Sequence, residues 1–213
     1  MNKSRFLILV VIVFVGAFLV SGVSNHAFGQ SGTLNGHEYV DLGLPGGTKW
    51  AACNVGANKP EECGNYFAWG EIKTKKKYME KTKKYTDNPI VLSSKDDAAT
   101  ANLGVGWRMP TREEMQELVD NCDTTWTKQN GVKGMMFTSR TNGNNIFLPA
   151  AGYHYGSNLS SVGYDGDYWS SSLRSDDMDY AWGLFFDANG YGVDNSHRYH
   201  GFSVRAVCTS LAK

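Results

Sequence analysis

The clearest periodicity in the chain lies between residues 110 and 122, where Met115, Leu118, Val119 and Cys122 fall at the i, i+3, i+4, i+7 spacing of one helix face. Thr111 followed by Glu114 supplies a capping box, so PTREEMQELVDNC reads as a helix that buries one stripe. A second helix is predicted over 93–104, SSKDDAATANLG, with a serine cap, acids in its first turn and Gly104 as its stop. Upstream, HEYVDLGLPGGTKWAACNV (37–55) predicts two short strands about a Pro-Gly-Gly turn, with Tyr39, Leu42, Leu44 and Trp50 inward. NYFAWGEI (65–72) predicts a further aromatic strand. After residue 122 the helical period ends. GMMFTS, NNIFLPAAGY, DYWSSSL, DYAWGLFFD, YGV and SVRAVC alternate apolar and polar positions between the turn clusters TNGN, YGSN, YDGD, SDD and DANG. Two helices set among strands at both ends predict an α+β domain with a twisted, mainly antiparallel sheet and long loops.

The N-terminus adds where such a domain works. Lys3 and Arg5 precede the apolar run FLILVVIVFVGAFLV, and small residues at Ala27 and Gly29 close the segment. That order is a secretory signal peptide over residues 1–29, cleaved between Gly29 and Gln30. An uncleaved membrane anchor is the competing reading, but the run is shorter than the roughly 18–20 residues a spanning helix needs. Residues 30–213 are expected to form a single domain, because no Pro-rich or Ser-rich linker divides them, in an exported protein that is periplasmic, cell-surface or secreted. Membrane contact is expected only if the leader is retained.

Basic and acidic residues balance at 21 each, and losing Lys3 and Arg5 with the leader leaves a slight acidic excess. Nothing in that balance points to nucleic acid as a partner. The lysine-rich run from Lys73 to Lys84 reads as a solvated surface loop. All four cysteines, Cys53, Cys63, Cys122 and Cys208, lie in the exported part, where two disulfides are expected. Of the three possible pairings, Cys53 with Cys63 and Cys122 with Cys208 is the expected one, the second tying the 110–122 helix to the last strand. No C-x2-C pair is present, so the cysteines do not resemble a zinc site.

Candidate catalytic groups have bland readings. Glu113, Glu114 and Glu117 lie in the first turn and on the polar side of their helix, where they favour its dipole. Ser170 to Ser172 lack the G-x-S-x-G turn of an activated nucleophile, and His154, His197 and His200 bear no fixed spacing to them. In HRYH, positions 197 and 200 point to opposite faces of an extended strand, a poor metal pair. Asp176, Asp177, Asp179, Asp187 and Asp194 offer the oxygens calcium takes, but without the spacing of a dedicated loop. A non-enzymatic protein with no cofactor and no metal is expected.

EYVDLGLPGGTKWAACNVGANKPEECGNYFAWGE, DDAATANLGVGWRMPTREEMQEL, NNIFLPAAGY, YWSSSL, AW and GFSVRAVC follow one another in that order. In this succession, from about Glu38 to Cys208, the chain resembles the Fibrobacter succinogenes major paralogous domain, found in exported proteins of the Bacteroidetes. The resemblance implies a C-type-lectin-like fold, the architecture also used by formylglycine-generating enzymes. It implies that Gly106 to Thr111 introduce a core helix, and that the closing VRAVC strand returns beside the N-terminal strand. Cys63 stands where the family often has tyrosine, and Ala206 where it often has proline. Metal-dependent oxidases of this fold place two cysteines near the C-terminus; this chain has Cys208 alone there. Calcium lectins of the fold carry Glu-Pro-Asn or Gln-Pro-Asp and Trp-Asn-Asp motifs, absent here. A carbohydrate-binding lectin, with or without calcium, remains the alternative reading.

In some bacterial relatives the C-terminal loops are varied by a diversity-generating retroelement that randomises adenines, turning asparagine codons into Tyr, Asp, Ser, His, Gly or Phe codons. Residues 176–202, DDMDYAWGLFFDANGYGVDNSHRYHGF, resemble such a segment. Tyrosine offers rigid contact area, and Ser, Asn and Gly offer adaptable hydrogen bonds, as in antibody-like paratopes. The expected contact surface is therefore Asp177, Asp179, Tyr180, Asp187, Asn189, Tyr191, Asp194, Asn195, His197, Tyr199, His200 and Phe202. Trp169 and Trp182 are expected in the core or on a pocket floor. The expected partner is a protein or glycan on a cell or phage surface.

Overall fold

The computed structural model describes residues 32–79 and 90–209; the expected leader and part of the lysine-rich run lie outside them. In chain order, β1 (Gly32–Leu34), β2 (His37–Asp41), β3 (Thr48–Ala51) and β4 (Tyr66–Phe67) precede a 3-10 turn at Ser94–Asp96 and α1 (Ala98–Leu103). β5 (Trp107–Arg108) leads into α2 (Arg112–Asn121), which runs directly into β6 (Cys122–Gln129), β7 (Val132–Ser139) and β8 (Asn145–Pro149). β9 (Tyr153–Tyr155), β10 (Asn158–Ser160), β11 (Gly166–Leu173), β12 (Tyr180–Phe186), β13 (Tyr191–His197), β14 (Phe202–Ser203) and β15 (Val207–Thr209) complete it. The architecture is α+β, dominated by antiparallel sheet with short helices.

Two five-stranded sheets, ordered β1-β2-β3-β15-β5 and β13-β12-β11-β14-β4, are joined by a three-stranded sheet β6-β7-β8 and a β9–β10 hairpin. The central strands feed two apolar clusters from alternate positions, as strand geometry requires. Trp50, Tyr168, Leu184, Phe186 and Val207 join Met115 and Leu118 of α2 in one cluster. Ala51, Trp169, Ala181, Phe202 and Cys208 join Ala98, Ala99 and Leu103 of α1 in the other.

The predicted 110–122 helix forms as α2, with both halves of its capping box made: Thr111 Oγ1 accepts from Glu114 N–H, and Glu114 accepts from Thr111 N–H at 2.9 Å. Arg108 grips the same carboxylate in a fork at 2.5 and 2.6 Å, and Thr48 donates to it at 2.9 Å. Burial works against Glu114's ionised form, but the Arg108 guanidinium and the hydrogen bonds from Thr111 and Thr48 together outweigh it and hold the pKa below the usual carboxylate range.

The predicted 93–104 helix is broken. Ser93 makes no cap, and Asp97 sits extended at φ −95°, ψ 116°; its carboxylate accepts from Thr100 N–H at 2.9 Å and from Met109 N–H at 2.8 Å. An aspartate that can bond nearby backbone competes with the helix, so the α-helical part starts after it.

SVRAVC is two strands in two sheets. β14 lies beside β11 and β4, whereas β15 lies between β3 and β5. Arg205, fully buried at the crossover, donates to Asn54 Oδ1 at 2.8 Å and to the carbonyls of Ala51, Ala52 and Phe147 at 2.8–3.1 Å.

The disulfide expectation is corrected: all four cysteines are free thiols. Cys122 shares its cluster with Val207, and Cys208, the next residue, points to the opposite face of β15 into the other cluster. Successive residues of a strand cannot serve one partner on one face. Cys53 lines a surface cleft with His37 and Glu38, while the Cys63 carbonyl turns inward to accept from Asn54 and Ser203. Burial pushes the Cys122 thiol up to about 11.

Candidate functional site

β11 is buried along its whole length and holds β12, which in turn holds β13 in full antiparallel register from Tyr180↔His197 to Phe186↔Tyr191. β13 is the outer strand of its sheet. Hence part of the segment expected to carry contacts is a strand with one edge free of ladder partners among the described residues, paired along its other edge with β12.

Eleven of the twelve expected contact residues are half-buried or exposed. They gather about the two ends of β13, which are about 20 Å apart at roughly 3.3 Å per residue, with Asp194 and Asn195 adjacent at the middle of the strand. At one end Asp187 Oδ1 closes the hairpin turn by accepting from Asn189 N–H at 2.6 Å and Gly190 N–H at 2.9 Å, bonds that hold its pKa below the usual range. Tyr191 and Asp194 follow on the same stretch.

At the other end the rings form a continuous cluster. Tyr180 Oη meets His197 Nε2 at 2.9 Å, His197 stacks on Tyr199 with centroids 4.9 Å apart, and Tyr199 meets His200 edge-on at 4.8 Å. His200 Nδ1 meets Ser196 Oγ at 2.9 Å, and Tyr153 and Tyr155 pack against its ring. Burial, with the neighbouring His197 adding to it, lowers the His200 pKa to about 4, so the ring is neutral at pH 7. Asp177 and Asp179 form the turn before β12, and Arg174 links that turn to Asn195 at 3.2 Å while pairing Asp176.

One expected contact residue is corrected. Phe202 is 2 % exposed, stacked on Trp169 at 4.2 Å in the core. β14 turns it inward, because its neighbour β11 is a central strand. Trp169 is core as expected, and half-buried Trp182 carries the Arg112 guanidinium 3.7 Å from its ring centroid. The Ser170 and Ser171 hydroxyls donate to the carbonyls of Trp182 and Pro110, and Ser172 Oγ accepts from Arg112 N–H.

A cleft of about 620 Å³ opens beside the hairpin turn, lined by Asp187, Asn189, Tyr191 and Asp194 and by two aspartates absent from the expected set, Asp165 and Asp167. Asp167, Phe185 and Gly192 lie side by side across β11, β12 and β13 and so share one face. Asp167 is 8 % exposed, its Oδ2 has no hydrogen-bond partner among the described residues, and burial, with Asp165 adding to it, raises its pKa to about 7. The only sequence cue was YDGD, read as a turn: Asp167 holds the position two before Trp169, which strand alternation puts on the same buried face. Among the described residues no group of three His, Cys, Asp or Glu side chains is placed to hold a metal ion.

Residues 122–207, from β6 to the start of β15 and including the cleft and both ends of β13, match the profile of a domain of unknown function (DUF8237). No curated protein and no solved structure matches the chain.

Proposed function

We propose that this chain is a non-catalytic, extracytoplasmic ligand-binding domain of C-type-lectin-like type, belonging with the Fibrobacter succinogenes major paralogous domains. In this reading it meets a protein or glycan on a cell or phage surface through β12, β13 and the turns beside them. The observation that carries this is the placement of β13: an outer strand whose Tyr, Asp, Asn and His side chains are accessible, on a backbone held by the buried strand two places inward. Such a frame lets side chains change while the backbone stays, which a contact surface needs and a catalytic constellation does not. The pairing of β15 with β3, and the entry to α2 through Gly106–Thr111, accord with the resemblance to the lectin-like fold.

The test is binding of the mature chain to glycan arrays and to arrays of bacterial surface and phage proteins, repeated with Tyr191→Ser, Asn195→Ala and Tyr199→Ser. The expected result is one class of ligand, lost in at least one variant while each variant unfolds within about 1 kcal/mol of the parent. Binding that none of the three alters, or turnover of a bound ligand, overturns the reading. Active diversification predicts a reverse-transcriptase gene nearby and a near-copy of the 3′ end differing at adenines. An isolated gene removes that part alone.

A further inference from the structure

The cleft beside the hairpin turn has a chemistry of its own. Four carboxylates line it, from Asp165, Asp167, Asp187 and Asp194, and no lysine, arginine or histidine stands among its lining residues. Asp187 accepts from two backbone N–H groups of its own turn, and Asp194, within β13, accepts from the backbone and side-chain N–H groups of Asn195. Asp167 differs: it is more than nine-tenths buried, it lines the cleft, and its Oδ2 is left with no partner among the described residues. A buried carboxylate oxygen without a donor is costly, and an arriving donor that carries positive charge removes that cost.

On the same face Phe185 supplies an apolar wall next to Asp167. Gly192 completes the row, and a Cβ placed on it would touch nothing within 4 Å, so the approach from the outer strand is open. One acceptor at the end of an apolar wall suits a cation on a hydrocarbon arm, whereas a bare metal ion needs several oxygens converging on one point. No such convergence occurs among the described residues.

We propose that this cleft receives an organic cation carried on an alkyl arm, of the kind that ends a lysine or arginine side chain, with Asp167 as its charge partner. The inference rests on the reading of the hairpin as a ligand-contact surface and names the ligand group that one end of it takes. Asp165 adds negative potential, and Asp187 and Asp194 at the rim steer a cation inward. The burial that raises Asp167's pKa is offset once the cation is paired.

Calorimetric titration of the mature chain tests this with Nα-acetyl-lysine methylamide, its arginine counterpart, the neutral norleucine analogue and calcium chloride. The lysine or the arginine compound is expected to bind, and the stronger of the two identifies the cation. Norleucine is expected to bind at least about tenfold more weakly. Asp167→Asn should lose about tenfold or more while keeping a cooperative unfolding transition, and Gly192→Leu should block binding with all carboxylates intact. The proposal is overturned if neither cation binds at millimolar concentration, if norleucine matches them, if Asp167→Asn binds like the parent, or if calcium alone saturates the site. Should the cations fail while array binding still responds to Tyr199→Ser, at the opposite end of β13, only the cleft assignment falls. If array binding responds to none of the hairpin variants, the surface reading itself falls.

Discussion

Asp167 shows how a single residue can be set against stability. Its carboxyl belongs to a row of core and near-core positions, and burial, reinforced by the charge of Asp165, lifts its pKa from 3.8 to about 7. A raised folded pKa favours the protonated form, so this group's contribution is fully present below about pH 3.8 and is lost as pH rises through about 7. Asp167→Asn should therefore be more stable than the parent at pH 8, by up to about 4 kcal/mol, with the gap closing towards pH 4. Urea denaturation of both proteins at several pH values checks this; a parent more stable than the variant at pH 8 would sink it. His200 is shifted the other way, to about 4, and favours its neutral ring. Both residues were legible as polar positions in a strand-rich segment. Their burial was not, because it depends on which sheet face the neighbouring strands cover.

At the scale of elements, α2 was readable because its signals are local: a cap, a box partner three residues on, and a stripe at helical spacing, all within one short window. What lay outside that window is the second use of Glu114, whose carboxylate also binds Arg108 of β5 and Thr48 of β3. Thr111→Ala removes only the cap bond and should cost about 1 kcal/mol. Glu114→Ala also strands Arg108 and should cost about 2–3 kcal/mol more. Thermal unfolding of the two variants compares them, and equal losses would show that the link to β3 and β5 contributes little. β6 escaped prediction for a complementary reason. CDTTWTKQ has few apolar residues, since it is the outer strand of the three-stranded sheet with one solvated side, although the Asn130–Gly131 turn, with φ of 49° and 87°, marks the hairpin to β7. The 93–104 segment failed as one helix because Asp97 is needed to hold Met109, a contact from a different strand entry.

For the whole molecule the decisive element is the last one. β15 is three residues long, yet it sits between β3 and β5 and completes both apolar clusters through Val207 and Cys208. Ending the chain after Ala206 should abolish cooperative unfolding, because two strands lose their ladder partner and both clusters lose a buried side chain. A sharp melting transition in the shortened chain would contradict this. The sequence alone determined the α+β class, the α2 helix with its box, most of the strands after residue 130, and the polar, tyrosine-rich character of the hairpin, because propensity, capping and alternation act over a few neighbouring residues. Only the tertiary structure decided that SVRAVC divides between two sheets around buried Arg205, that Phe202 is core, that Cys122 and Cys208 face away from each other, and that Asp165 and Asp167 meet the hairpin in one cleft. Each of those outcomes rests on which strand pairs with which and on which face is covered. Such long-range choices are settled by burying both faces of β11 and β12 at once, which no local window of the chain records.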